Sequence, residues 1–459
     1  MQTARTLYTC HCTIMDTIDK PPALLVRMRT GWMVWSGGGV LLILVLMPFH
    51  ATLSVWVSQL TGHYTVVRLW KELVLGLLTA GAACRLWRDA ALRRRFRCSR
   101  LLWCMAAYAA VQLVWGLAAY RAHGVTRMAL GYGWLVDLRF LVFFADVWVI
   151  ASAVPVLAAH WPKVVFWPLA AVVAAGLLQY FVLPYDFLSH LGYSAATIFP
   201  YQDINHNTHY IRIMSTLRGA NPLGAYLVAA LALLLAYRRL RRVWWWALLA
   251  GGLLVLALSF SRGAWAGCAV SIAIILAATV SRRTLRIVLL GAGAAVLCLG
   301  AGLVLARNNT TLQNIVLHTQ NHSAVRTTSN AGHVSALQNG LQDVMHEPLG
   351  RGPGTAGPAS AYNTGHPVRI AENYFIQIAQ ETGWPGIALF GLTYVLVARL
   401  LWRQRHTALG IGLFAGMMGI SVAGLFGHVW ADDTLAYFWW GLAGIALAPA
   451  VSARKSSAP

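Results

Sequence analysis

Between residues 212 and 226 the chain reads Arg212-Ile-Met-Ser-Thr-Leu-Arg218-Gly219-Ala-Asn221-Pro222-Leu-Gly224-Ala-Tyr226, directly ahead of an apolar run. A proline near a first helical turn, with Asn221 before it as N-cap, marks a helix start. Such an end offers free backbone N–H groups and partial positive charge, and Arg218 adds a planar fork of donors. The combination suits a diphosphate, with Arg212 and Asn221 as further binding residues. An arginine placed there would equally anchor a helix end at a membrane boundary. A second arginine, Arg262, stands in the tight turn Ser261-Arg262-Gly263-Ala264-Trp265. Left in hydrocarbon it would cost about 2.5 kcal/mol or more, so it is either a stop signal or faces a wet cavity.

Further along, His346-Glu347-Pro348-Leu349-Gly350-Arg351-Gly352-Pro353-Gly354-Thr355 forms a glycine-rich turn. Gly352 and Gly354 permit positive φ and a close approach of backbone to a ligand, although Gly-Pro stretches also make ordinary loops. Glu372-Asn373 then opens a helix of about ten residues that Gly383 ends as a C-terminal cap. A carboxylate at a helix start is favoured in its ionised form. It serves either as a dipole partner or as acceptor of a proton from a sugar hydroxyl, with Asn373 beside it. His346 and His366 are alternative acceptors in the same region.

The elements that must position these residues are membrane helices. Of 459 residues, 58% are hydrophobic and only 11% charged, against about a quarter charged in a soluble domain. Twelve apolar stretches are long enough to cross the hydrocarbon: 33–50, 68–87, 101–120, 134–156, 164–183, 221–237, 243–260, 264–280, 287–306, 384–402, 407–430 and 435–452. The net charge of +22 follows this topology. With both termini inside, 24 of the 36 Lys and Arg fall in inner segments, whose acids are only Asp16, Asp19 and Asp89. The charge is thus a positive-inside signal, and a nucleic-acid partner is not expected. None of the seven cysteines lies in an outer loop, so no outer disulfide framework is expected, and Cys10-His11-Cys12 lacks the second cluster a metal site needs. Asp16, Asp19 and Pro21-Pro22 interrupt any signal-peptide layout, so the first span is read as a retained anchor.

The division is therefore an inner segment 1–32, spans one to nine over 33–306 with an outer loop at 184–220, a large outer loop at 307–383, spans ten to twelve over 384–452 and an inner tail 453–459. Within the large loop, Val334, Leu337, Leu341, Val344 and Met345 have the spacing of an amphipathic helix lying against the membrane or the bundle. Asp146 in span four is a functional acid or a partner of Arg139 or Lys71. His428 with Asp432-Asp433 reads as interfacial. No nucleotide triphosphate is available outside, so chemistry there needs a substrate already activated.

Together, Arg218-Gly219-x-Asn221-Pro222-x-Gly224, Ser261-Arg262-Gly263-Ala264-Trp265, Pro348-Leu349-Gly350-x-Gly352-x-Gly354 and Glu372-Asn373 followed by Gly383-x-x-Gly386 resemble the O-antigen ligase and O-antigen polymerase superfamily, most strongly over 205–400. The resemblance implies an all-α protein of about twelve transmembrane helices in a bacterial inner membrane. It implies a metal-independent, inverting glycosyl transfer without cofactor. The donor would be a glycan on undecaprenyl diphosphate, and the acceptor hydroxyl would belong to lipid A-core or to another lipid-linked glycan. Arg218 would then contact the donor diphosphate, Arg262 would add charge, and Glu372 stands where ligases of the family typically carry histidine, which makes a polymerase or exopolysaccharide-type relative as good a reading as a ligase. A lipid-linked-glycan flippase is the alternative, although no half-to-half repeat is visible and the unusual residues cluster on one face.

Overall fold

A computed structural model describes residues 23–204, 207–237, 242–281 and 329–449, with scattered positions between 283 and 309. The expectations for the first 22 residues, most of span nine, the polar stretch 310–328, Cys10, Cys12, Cys298 and the tail lie outside the described residues.

A helix lies over eleven of the twelve expected spans. In chain order the helices are α1 (Ala23–Leu46), which turns at Pro48 into α2 (His50–Thr61), α3 (Trp70–Arg88), then α4 (Ala90–Arg97), a basic surface helix, α5 (Arg100–Ala122), α6 (Arg127–Ala151), α7 (Val156–Phe181), α8 (Ala220–Ala236), α9 (Val243–Leu258), α10 (Arg262–Thr279), and, after the loop helix α11 (Ser329–His346), α12 (Tyr374–Arg403), α13 (Ala408–Gly424) and α14 (Asp433–Leu447), of which α2, α4 and α11 lie outside the expected spans. Among the described residues, five helical segments are long and apolar enough to cross a membrane, namely Gly31–Thr61, Arg100–Ala122, Val156–Phe181, Arg262–Thr279 and Tyr374–Arg403, and three shorter apolar helices accompany them. The chain is thus a multi-pass helical membrane protein. Among the described residues, its one departure from all-α is a small antiparallel hairpin in the loop between α7 and α8, β1 (Gln202–Ile204) against β2 (Asn207–Arg212).

Helix α8 is apolar on every side, and residues 223–234 are all buried, as befits the centre of a bundle. Helices α10 and α13 pack on it and on each other. Small residues permit this approach: a Cβ at Gly267 would stand 2.3 Å from the Gly419 carbonyl oxygen. A second sector joins α6 to α14 and α5 to α12 around rings of Phe140, Tyr374, Phe390, Trp430 and Trp440. The two loops expected outside meet at one end of the bundle. At the other ends of α8 and α12 lie Tyr237 and the arginine-rich 399–407 segment.

Helix α12 breaks at Gly383, whose φ is 63°. The glycine-rich turn docks there and satisfies the backbone groups that the break frees. Arg351 and Gly352 donate their N–H groups to the Gln380 and Glu381 carbonyls at 3.0 and 2.7 Å, and Trp384 N–H donates to the Pro348 carbonyl at 2.9 Å. The buried Glu381 carboxylate accepts from Gly354 N–H at 2.9 Å and Ala356 N–H at 3.4 Å. Turn and kink are one unit. Helix α11 rests beside them through Val344 and Gly340, the latter against Ala371 and Ile376. The rest of its apolar stripe, Val334, Leu337, Leu341 and Met345, is exposed, so this helix packs on the bundle by one edge only.

Candidate functional site

The hairpin, the start of α8, α11, the entry to α12 and the 425–432 turn enclose an open cavity of about 570 Å³. Its wall carries Arg212, Arg218, Asn221, His333, Glu372 and Asp432, with Phe199 and Tyr201 as an aromatic side. A neighbouring cavity of about 580 Å³ contains Arg262 and shares Arg212, Asn221, His333 and Phe426 with the first. Arg218, Glu372, Arg212 and Asn221 are therefore together, and Arg262 sits next door across a common wall.

Each arginine is held in place. Arg212 closes β2 and donates Nε to the Ser259 carbonyl at 3.0 Å and a terminal nitrogen to Asn221 Oδ1 at 2.7 Å. Burial, and after it the charge of Arg262, pushes Arg212 down to about 10, still well above neutral pH. Arg218 donates Nε to Asp432 Oδ2 at 2.5 Å while its side chain is 44% exposed in the cavity wall. The other oxygen of Asp432 accepts the Leu435 N–H and caps α14, so one buried carboxylate fixes both a helix end and the arginine.

Glu372 meets His333 of α11, Oε2 to Nδ1, both side chains about one-third exposed (38% and 35%). Glu372 has φ 50°, a left-handed conformation that a non-glycine residue adopts at a cost of about 1–3 kcal/mol. Phe260, beside Arg262, and Ser215, three residues before Arg218, share it. Strain of this kind gathers where side-chain placement outweighs backbone comfort.

Several expectations change. Helix α8 begins at Ala220, ahead of the expected cap, so Asn221 lies inside its first turn, its side chain is taken by Arg212, and Gln202 of β1 instead accepts the Ala220 N–H at 2.8 Å. Asn373, not Glu372, caps α12, accepting from Phe375 and Ile376 N–H, and it is buried away from the cavity wall. Gly352 and Gly354 do bring backbone close to something, but it is α5 and α6. A Cβ at Gly352 would stand 2.2 Å from Ala119 Cβ, and one at Gly354 2.4 Å from the Ala129 carbonyl oxygen. Asp146 accepts from Thr79 at 2.6 Å rather than from Arg139 or Lys71. His346 bonds its own helix at Gln342, and His366 lines a separate cavity with Arg351 and Arg369.

Sequence reasoning missed three groups. Asp432 and Asp433, read as interfacial, are 2% and 8% exposed. Asp433 lies 3.1 Å from Lys71, 3.4 Å from His50 and 3.7 Å from Arg139, and Glu72 lies 3.2 Å from the same lysine. A buried charged network thus backs the Arg218–Asp432 pair. His333 was the third, hidden because the helix was read for its apolar face. The one available signal for the acids was an Asp-Asp pair at the start of a span.

The geometry defines a class first: a polytopic membrane protein whose open polar cavity, at one end of the helix bundle, presents arginines and a carboxylate. Residues 247–391 match the O-antigen ligase family, and this match supports the resemblance to the O-antigen ligase and polymerase superfamily. The match takes in Ser261 to Trp265, the glycine-rich turn and Glu372 to Gly386; Arg212, Arg218 and Asp432 fall outside it. No curated protein matches the chain.

Proposed function

We propose that the protein transfers a glycan from undecaprenyl diphosphate to an acceptor hydroxyl at the outer face of a bacterial inner membrane, with both termini inside. The observation that carries this reading is the gathering of Arg212, Arg218 and Glu372 on one cavity wall with Arg262 beside it. A lipid diphosphate is a charged leaving group, so a catalyst must stabilise it as it departs and take the hydroxyl proton. Guanidinium groups stay charged and bind phosphate bidentately, which lets them serve in place of a divalent ion. Phe199 and Tyr201 offer apolar ring faces on the side where a sugar would lie. The acceptor hydroxyl attacks the anomeric carbon from the face opposite the diphosphate, inverting it. The acceptor belongs to lipid A-core or to a second lipid-linked glycan, and the same wall serves either.

Complementation of a deletion strain tests this. Arg218→Ala and Glu372→Ala are each expected to abolish long-chain surface glycan while membrane-inserted protein persists at wild-type level. A wild-type glycan ladder from Arg218→Ala would remove the diphosphate-holding role and the reading with it.

A further inference from the structure

We propose that His333, held by Glu372, is the group that takes the proton from the acceptor hydroxyl, and that Glu372 is its positioning partner. The inference rests on the transfer reading above and assigns the proton within the same site. His333 comes from α11 and Glu372 from the entry to α12, and both face the cavity that holds Arg218. The contact is made at His333 Nδ1. A carboxylate there fixes the tautomer with hydrogen on Nδ1, and the ring then turns the Nε2 lone pair away from Glu372. Both side chains line the cavity, so the imidazole is open to an incoming hydroxyl beside the carboxylate that holds it.

The surrounding charges agree with that division. Arg262 from the start of α10 and Arg212 from β2 face His333, and Asp203, Arg218 and Asp432 stand across the cavity. Burial, followed by Arg262 and Arg212, holds the imidazole below its ordinary value, so it is neutral and ready to accept a proton at neutral pH. An isolated carboxylate, with an ordinary value of about 4.3, is a much weaker base. In the step itself the acceptor O–H proton passes to Nε2, and the oxygen forms its bond to the anomeric carbon. The bond from that carbon to the diphosphate oxygen breaks, and its electron pair leaves with the diphosphate. The imidazolium, stabilised by Glu372, then returns its proton to water.

The test uses full-length purified protein with lipid-linked glycan and lipopolysaccharide extracted from the deletion strain, and reads glycan transfer between about pH 5 and 9. Wild-type protein is expected to show a rate rising with pH along one limb. His333→Gln is expected to lose that limb and about 100-fold or more in rate. Glu372→Gln is expected to keep the limb but move it to lower pH, since removing a negative neighbour disfavours the imidazolium. The double variant is expected to be no slower than His333→Gln, because the two act as one unit. Added imidazole is expected to restore part of the rate to His333→Ala, and His346→Ala on the same helix to remain at wild-type rate. A His333→Gln enzyme within threefold of wild type, limb intact, while Arg218→Ala is inactive, would overturn the assignment and leave the transfer reading standing. Absence of transfer by wild-type protein would overturn both.

Discussion

Arg218 shows how a single side chain is made ready for an anion. Its Nε is committed to Asp432, a buried acid whose second oxygen caps α14, so the guanidinium enters the cavity with little freedom left to lose. Asp432→Asn keeps the shape and the cap but removes the counter-charge. Long-chain glycan in complemented cells is expected to fall about tenfold or more while inserted protein is retained, the cost of an arginine no longer aimed. Unchanged glycan would mean that Arg218 needs no such fixing. The arginine was legible in the sequence because its type and its place before a span carry the chemistry. Its partner was not, because 214 residues separate the two and only packing brings them together. His333 was hidden for a related reason: its neighbours on α11 advertise an apolar stripe, and its own partner comes from the segment that enters α12.

At the scale of elements, the glycine-rich turn changes meaning. Its glycines suit either a close approach to a ligand or an ordinary loop, and the structure makes it a splice between α5, α6 and the broken helix α12. Gly354 has φ 87° and no room for a Cβ beside Ala129. Gly354→Ala is therefore expected to lower folding stability by roughly 1–3 kcal/mol, seen as a lower melting temperature in detergent, with the donor KM of the surviving protein unchanged. A normal melting temperature with a raised donor KM would return the turn to the binding site. The break at Gly383 was visible from sequence as a helix end. What could not be read was that the freed carbonyls of Gln380 and Glu381 would find their donors in a turn some thirty residues earlier.

At the scale of the whole molecule, hydropathy made most of the helices legible, because every backbone group in hydrocarbon must be paired within a helix. The hairpin at 202–212 was not legible: short strands in a loop leave no periodic signal, although this one supplies Arg212 and the Gln202 cap. The proposed orientation gives a simple expectation. Cys98, exposed between α4 and α5, should react with a membrane-impermeant maleimide only after permeabilisation, in a Cys10→Ser/Cys12→Ser background. A cysteine introduced at exposed Ser194 should react in intact cells. Reversed labelling would place the cavity in the cytosol and end the outer-face account.

The most direct measurement is release of undecaprenyl diphosphate by purified protein given the lipid-linked glycan of its own deletion strain, in the presence of EDTA. The arginine cavity is expected to sustain release coupled one-to-one to longer or transferred glycan with the chelator present, and Arg218→Ala to give neither. Movement of intact lipid-linked glycan across a vesicle membrane without release, or equal release from Arg218→Ala, would contradict the account.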